Sequence, residues 1–104
     1  MLFIGYWEIN PDFEPSELAE IAQNLISKKV YPAEGVKEIG FYMSVSDYWG
    51  ISILEADSEE AMARNTNMWR IAKPGWITLI KVTPAMEVVK LLPVLMKLRK
   101  EIKG

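Results

Sequence analysis

The stretch that decides the fold is residues 57–76, DSEEAMARNTNMWRIAKPGW. Near its start, Asp57 is followed three residues later by Glu60, the spacing of a helical capping box with Asp in the Ser/Thr position. Near its end, Pro74 disfavours helical geometry at the preceding residue, and Gly75 permits the chain to reverse. We therefore predict one helix that starts at residue 57 or 58 and ends near residue 72.

Outward from this helix, the apolar pattern predicts the other elements. Runs rich in branched and aromatic residues predict four strands, at residues 2–9, 36–45, 48–55 and 76–83. Apolar residues at helical spacing predict two more helices, at residues 16–29 and 86–102. Pro93 lies inside the last helical pattern, so we expect a kink or a restart there.

The predicted order is β-α-β-β-α-β followed by a helix. This order is typical of a ferredoxin-like α+β fold, in which a four-stranded antiparallel sheet carries its helices on one face. Both faces of the first strand are apolar, because Leu2, Ile4 and Tyr6 alternate with other apolar residues. The second face therefore needs a cover that the chain does not supply, and we expect a homodimer that packs through this open sheet face.

The hairpin strands are predicted to have one mixed face. Period-two alternation places Glu38, Gly40 and Tyr42 on one face of the second strand. The same rule places Gly50 and Ser52 on the corresponding face of the third strand. A surface that combines aromatic, small and polar groups suits an interface or the lining of a pocket.

Composition limits the function classes. The length of 104 residues fits a single ferredoxin-like domain over residues 1–104, and a formal charge of −2 with scattered basic residues does not favour nucleic acid. The chain has no cysteine and no histidine, so disulfides, thiolate nucleophiles and the commonest metal ligand are excluded. We expect no metal site, no cofactor and no membrane span, and a cytoplasmic location.

Four segments carry a resemblance to a known group of proteins: EGVKEIGFY (34–42), YWG (48–50), EADSEEA (55–61) and NMWRIAKPG (67–75). Over nearly its whole length the chain resembles a small prokaryotic family of domains of unknown function in the dimeric α+β barrel superfamily. The resemblance implies the ferredoxin-like fold and brings no activity with it. The wider superfamily includes cofactor-independent oxygenases, small isomerases and dehydratases, haem proteins and ligand-sensing domains, and a shared fold does not choose among them.

The central helix carries the first candidate site. Asn65 and Trp69 are four residues apart, so their side chains are neighbours, and Asn65 lies in an otherwise apolar stripe. A buried amide without a hydrogen-bond partner costs about 1–3 kcal/mol, and a substrate carbonyl is one possible partner. The pair is similar to the Asn and Trp pocket residues of cofactor-independent oxygenases in the superfamily. The alternative is an Asn bonded to a backbone group, with Trp69 in the core.

The strands supply further candidates. Trp7 and Trp49 suit the wall of a flat ligand, but they equally suit a large core. Glu8 lies among apolar neighbours, where a carboxyl group would have a raised pKa, unless it lies at a wet strand end. Tyr42 is a possible hydrogen-bond donor to a ligand, or a residue that fills the layer between two sheets.

We predict a small-molecule-binding homodimer with an apolar pocket between helices and sheet. Its ligand would be small and apolar or aromatic, and its candidate ligand-binding residues are Asn65, Trp69, Trp7, Trp49, Glu8 and Tyr42. One alternative is a cofactor-independent enzyme, of oxygenase or isomerase type, for an aromatic or ketone substrate. The other is a structural partner subunit.

Overall fold

The computed structural model describes residues 1–104, and its seven elements follow in βαββαβα order. The strands are β1 (Leu2–Ile9), β2 (Val36–Met43), β3 (Trp49–Ala56) and β4 (Ile77–Pro84). The helices are α1 (Pro15–Ser27), α2 (Glu59–Ala72) and α3 (Val88–Lys103). The predicted order of elements is confirmed, and every boundary falls within two residues of its prediction.

The four strands form one antiparallel sheet in the order β2-β3-β1-β4. The central strand β1 pairs with β3 on one side and with β4 on the other; Trp7, for example, lies opposite Gly50 and Ile80. Helices α1 and α2 cover one face of this sheet. The predicted ferredoxin-like α+β fold is therefore confirmed.

Residues at the two ends of helix α2 account for where it begins and ends. The Ala61 N–H donates to Ser58 Oγ at 3.1 Å, which satisfies one of the free N–H groups of the first turn. At the other end Lys73 is extended, as expected before Pro74, and Gly75 has a φ of +86° that permits the turn into β4. Of the two predicted starts, Ser58 is the residue that caps the helix.

The predicted face assignment of the hairpin is wrong for part of β2, because a β-bulge lies between Glu38 and Gly40. Beyond the bulge, Phe41 pairs with Ser52, so both side chains face the helices. Tyr42 pairs with Ile51 and lies on the opposite face of the sheet. The extra residue thus separates Tyr42 from Ser52, which strict alternation had placed on one face.

The sheet face away from α1 and α2, called the open face below, has no cover within the chain. Its apolar members on β1, β2 and β3 are Ile4, Tyr6, Tyr42, Trp49, Ile51 and Ile53. Tyr42 is 59% exposed and Trp49 is 41% exposed. This surface is the one that the sequence predicted to need a second layer.

Helix α3 extends away from the rest of the molecule. It runs without a break from Val88 to Lys103 through Pro93, so the predicted restart does not occur. None of its residues is buried, and no Cα of α3 lies within 8 Å of another element. The molecule consequently measures 56 Å along its longest axis and only 29 and 20 Å along the others. None of the three helices has the length and apolar character that crossing a membrane requires.

Candidate functional site

A cavity of about 530 Å³ lies between the sheet and helices α1 and α2. It forms because small residues occupy the positions that face each other across the layer. Gly5 and Ser52 lie on the sheet side, and Ala19 and Ala22 lie on α1. No Cα of α1 comes within 8 Å of a strand Cα, so the space between them remains open. Its volume falls in the range of small-molecule pockets, about 300–1,000 Å³.

Aromatic side chains form a continuous wall of this cavity. Trp69 of α2 lies at its centre. The centroid of the Trp69 ring is 4.9 Å from that of Tyr31, 5.8 Å from that of Phe41 and 6.1 Å from that of Trp76. Trp7 extends the wall along β1, with its ring 6.0 Å from Phe41. These separations are those of favourable edge-to-face and tilted aromatic pairs. The wall therefore combines helix, loop and strand residues into one rigid surface.

The Trp7 indole lies over Gly50, in the space that a side chain at this position would occupy. A Cβ atom at Gly50 would overlap the six-membered ring of Trp7, so only glycine leaves room for this position. The Trp7 Nε1–H donates to Ser52 Oγ at 3.3 Å, and this bond holds the indole against β3. Glycine and serine on β3 thus determine where the largest side chain of β1 lies.

Asn65 is 2% exposed and lies beside the cavity. Its Oδ1 accepts the Ala33 N–H at 2.9 Å and so fixes the loop between α1 and β2 to α2. The backbone partner that the sequence left open as an alternative therefore accounts for this oxygen. Asn65 also acts on the Tyr31 hydroxyl, whose pKa it lowers, and it belongs to the lining of the cavity.

Tyr31 is a site residue that the sequence did not indicate. It is buried in the loop after α1, lines the cavity, and donates its O–H to Glu38 Oε1 at 3.2 Å. Burial raises the pKa of the Tyr31 hydroxyl far above its usual value, and the nearby Glu38 carboxylate raises it further, while Asn65 partly opposes the shift. A single Tyr in a loop has no periodicity that would have distinguished it.

Because its pKa is raised, Tyr31 links stability to alkaline pH. The phenol stays protonated in the folded chain but ionises near pH 10 when unfolded. The contribution of Tyr31 to the free energy of unfolding is therefore fully present below about pH 10 and decreases above it. Replacing Tyr31 by Phe is expected to cost about 0.5–1.5 kcal/mol at pH 7, the value of its hydrogen bond. Urea unfolding between pH 8 and 11 should show this deficit shrinking as pH rises. If the free energies of unfolding of the two proteins changed with pH in parallel, Tyr31 would not have a raised pKa.

Comparison with known proteins identifies the family. The family model described as "Domain of unknown function (DUF3303)" matches residues 1–99. The chain belongs to this family. Among solved structures, the chain is similar to a putative antibiotic biosynthesis monooxygenase from Nitrosomonas europaea, with a TM-score of 0.51 and 13% sequence identity over 83% of this chain and 98% of that one. This similarity is one of fold. No curated protein sequence matches the chain.

In this DUF3303 chain the six predicted site residues divide between the two faces of the sheet. Asn65, Trp69 and Trp7 line the cavity together. Trp49 and Glu8 lie on the open face, where Tyr6 connects them.

Two contacts make that connection. The Tyr6 ring stacks on Trp49 with centroids 6.2 Å apart, and its O–H donates to Glu8 Oε2 at 2.6 Å. This hydrogen bond raises the pKa of Tyr6. Tyr42 takes part in both regions, because it contributes to the cavity lining while its ring covers Gly40 on the open face.

Proposed function

We propose that this protein binds a flat, uncharged aromatic molecule in the cavity between its helices and its sheet. The observation that carries the proposal is the aromatic wall around Trp69, which borders about 530 Å³ of space. Aromatic rings placed in this way offer a planar ligand large contact area at little entropic cost. We also propose a cytoplasmic location, as the sequence analysis expects.

The polar groups of the lining support an uncharged ligand. Neither Lys nor Arg lines the cavity, and Asp47 in the hairpin loop is its only charged side chain. An anionic ligand would therefore lose its hydration without gaining a cationic partner. Ser52 and Asn65 lie among the apolar lining and offer hydrogen bonds to one hydroxyl or carbonyl group.

The binding test compares two ligands of one shape, 2-naphthol and 2-naphthoate, by isothermal titration calorimetry. We expect 2-naphthol to bind at least about tenfold more tightly, since an unpaired carboxylate costs more than about 1.4 kcal/mol to desolvate. Ala22→Phe adds a ring on the cavity side of α1 and should abolish binding. Gln23→Phe makes the same addition on the exposed side and should leave binding unchanged.

Two outcomes would contradict the cavity proposal. One is equal binding of 2-naphthol by wild type and Ala22→Phe, because the filled cavity could then not be the site. The other is tighter binding of 2-naphthoate, because the lining offers its carboxylate no positive charge.

We also infer that the functional unit is a homodimer that packs through the open face. Ile4, Tyr42 and Trp49 are each more than 40% exposed there, although they lie on one continuous strand surface. Monomeric proteins rarely expose contiguous apolar patches of this kind, which are typical of protein interfaces. A second copy brings an identical apolar face and so supports a symmetric contact.

A cofactor-independent enzyme is the second candidate. The observation that favours it is the Tyr31 phenol, which lies at the cavity wall between Glu38 and Asn65 as a hydrogen-bonded, titratable group. Its raised pKa keeps this phenol protonated, so it would serve a substrate oxygen as a hydrogen-bond donor, in place of its bond to Glu38. Measurement of dioxygen uptake with naphthoquinols, on wild type and Tyr31→Phe, tests this candidate. Equal rates in both proteins would exclude a role for Tyr31.

A further inference from the structure

The exposed helix α3 has an apolar side with nothing packed against it. At helical spacing, one stripe of α3, called the α3 stripe below, consists of Val88, Leu91, Leu95, Leu98 and Ile102. Ile102 is 71% exposed, Leu95 is 48% exposed, and no member of the stripe is buried. A 16-residue helix is about 24 Å long, so this stripe extends well beyond the sheet.

Helix α3 has unfavourable local features at its N-terminus and in its interior. No side chain caps its N-terminus, and Pro93 lies in its interior, which disfavours the helix strongly. Its one ion pair, between Lys90 and Glu87 at 3.9 Å, is exposed on the surface. Because short helices depend on packing of an apolar face for their stability, α3 requires a partner surface.

Charge favours this protein itself as the partner. Residues 1–87 contain seven basic and thirteen acidic residues, a balance of −6. Helix α3 contains five basic residues and one acidic residue, a balance of +4. Oppositely charged surfaces attract and orient two molecules before contact. Each copy carries one basic helix and one acidic body. In a symmetric dimer each basic helix can therefore contact the acidic body of the other copy.

We propose that α3 is an exchanged arm, whose stripe packs against residues 1–87 of a second copy. The proposal rests on the homodimer inferred above and adds a contact to it. The same chain leaves two apolar surfaces uncovered, the open face and the α3 stripe, and one association event covers both. A two-fold axis then repeats the arm contact, so every change in the stripe acts twice in the dimer.

The first test measures the dimer dissociation constant of the full chain by sedimentation equilibrium. Leu95→Glu places a charge in the stripe and should raise this constant about a hundredfold, since two buried leucines are lost per dimer. Met96→Glu changes the charge equally but lies about 100° around the helix, away from the stripe, and should change the constant less than about threefold. A dimer that Leu95→Glu leaves intact overturns the proposal, and so does a monomeric wild type.

The second test determines which molecule α3 contacts. The chain has no cysteine, so Met96→Cys provides a single attachment point for a nitroxide. Spin-labelled chain is mixed with isotope-labelled wild type that carries no nitroxide. An exchanged arm predicts broadening of amide resonances from residues 1–87 of the isotope-labelled chain. Broadening only when both labels are on the same chain means that α3 folds back on its own body, and it overturns the proposal.

Two further measurements separate the possible failures. If Trp49→Glu dissociates the dimer while Leu95→Glu does not, the open-face homodimer stands and the arm does not. If Leu95→Glu chain loses only its binding to phosphatidylserine vesicles and keeps its dimer, α3 is a membrane-surface helix and the arm proposal is wrong. Binding of 2-naphthol reports on the cavity separately, because no α3 residue lines it.

Discussion

Gly50→Ala is expected to destabilise the fold by about 3 kcal/mol, although it adds one methyl group. A Cβ atom at this position meets two obstacles at once, the Trp7 ring and the backbone carbonyl oxygen of Tyr42. The ring can move only toward the cavity, and this movement would break the hydrogen bond from its nitrogen to Ser52. Denaturant unfolding measures the loss directly.

Gly5→Ala is the matched control for this substitution. Gly5 lies on the same face of the neighbouring strand, but its added Cβ would be 3.5 Å from Val82 and 3.6 Å from Ser52, which is ordinary van der Waals contact. We expect a cost below about 1 kcal/mol there. A Gly50→Ala protein as stable as Gly5→Ala would mean that Trp7 does not lie against Gly50.

A double substitution tests whether Trp7 is the obstacle. Trp7→Ala removes the ring and should itself cost about 3–5 kcal/mol. In its background Gly50→Ala should cost clearly less than in wild type, by about 1 kcal/mol or more of coupling, with a remainder from the Tyr42 carbonyl. Additive costs would contradict the contact. The displaced ring should also enter the cavity, so Gly50→Ala is expected to weaken 2-naphthol binding.

The order of elements was predictable from local signals. Pro74 and Gly75 mark the end of α2, Ser58 marks its start, and the apolar period distinguishes helices from strands. These signals act within a few residues of the chain, so a single sequence contains them. The open face followed from β1, because an apolar strand on both sides requires cover on both sides.

The face of Tyr42 was not predictable, because one extra residue in β2 reverses the alternation. Nothing in the run Glu38-Ile39-Gly40 specifies which residue the ladder leaves unpaired; the bulge depends on how β2 meets β3. Tyr31 was missed for a related reason. Its role comes from contacts with α2 and β2, which are distant in sequence, and a loop has no period that would indicate them.

Asn65→Ala is expected to cost about 2–3 kcal/mol, because it removes the acceptor of the Ala33 N–H inside the protein. The donor would then be buried without a partner, and the loop that carries Tyr31 would lose its hydrogen bond to α2. Asn67→Ala is the matched control on the same helix. Asn67 is exposed, and its Nδ2 donates only to the Ala63 carbonyl, so we expect a change within about 0.5 kcal/mol.

Ligand binding separates the two roles that Asn65 combines. If its nitrogen bonds the ligand hydroxyl, Asn65→Ala should weaken 2-naphthol about tenfold but naphthalene much less, since only the first has a hydroxyl. Equal weakening of both would assign Asn65 to holding the Tyr31 loop alone. Thermal shifts of wild type, Asn65→Ala and Asn67→Ala with each compound make the comparison. Ala33 uses the oxygen of Asn65 and leaves the nitrogen as the donor for a ligand, so this nitrogen would select an acceptor oxygen.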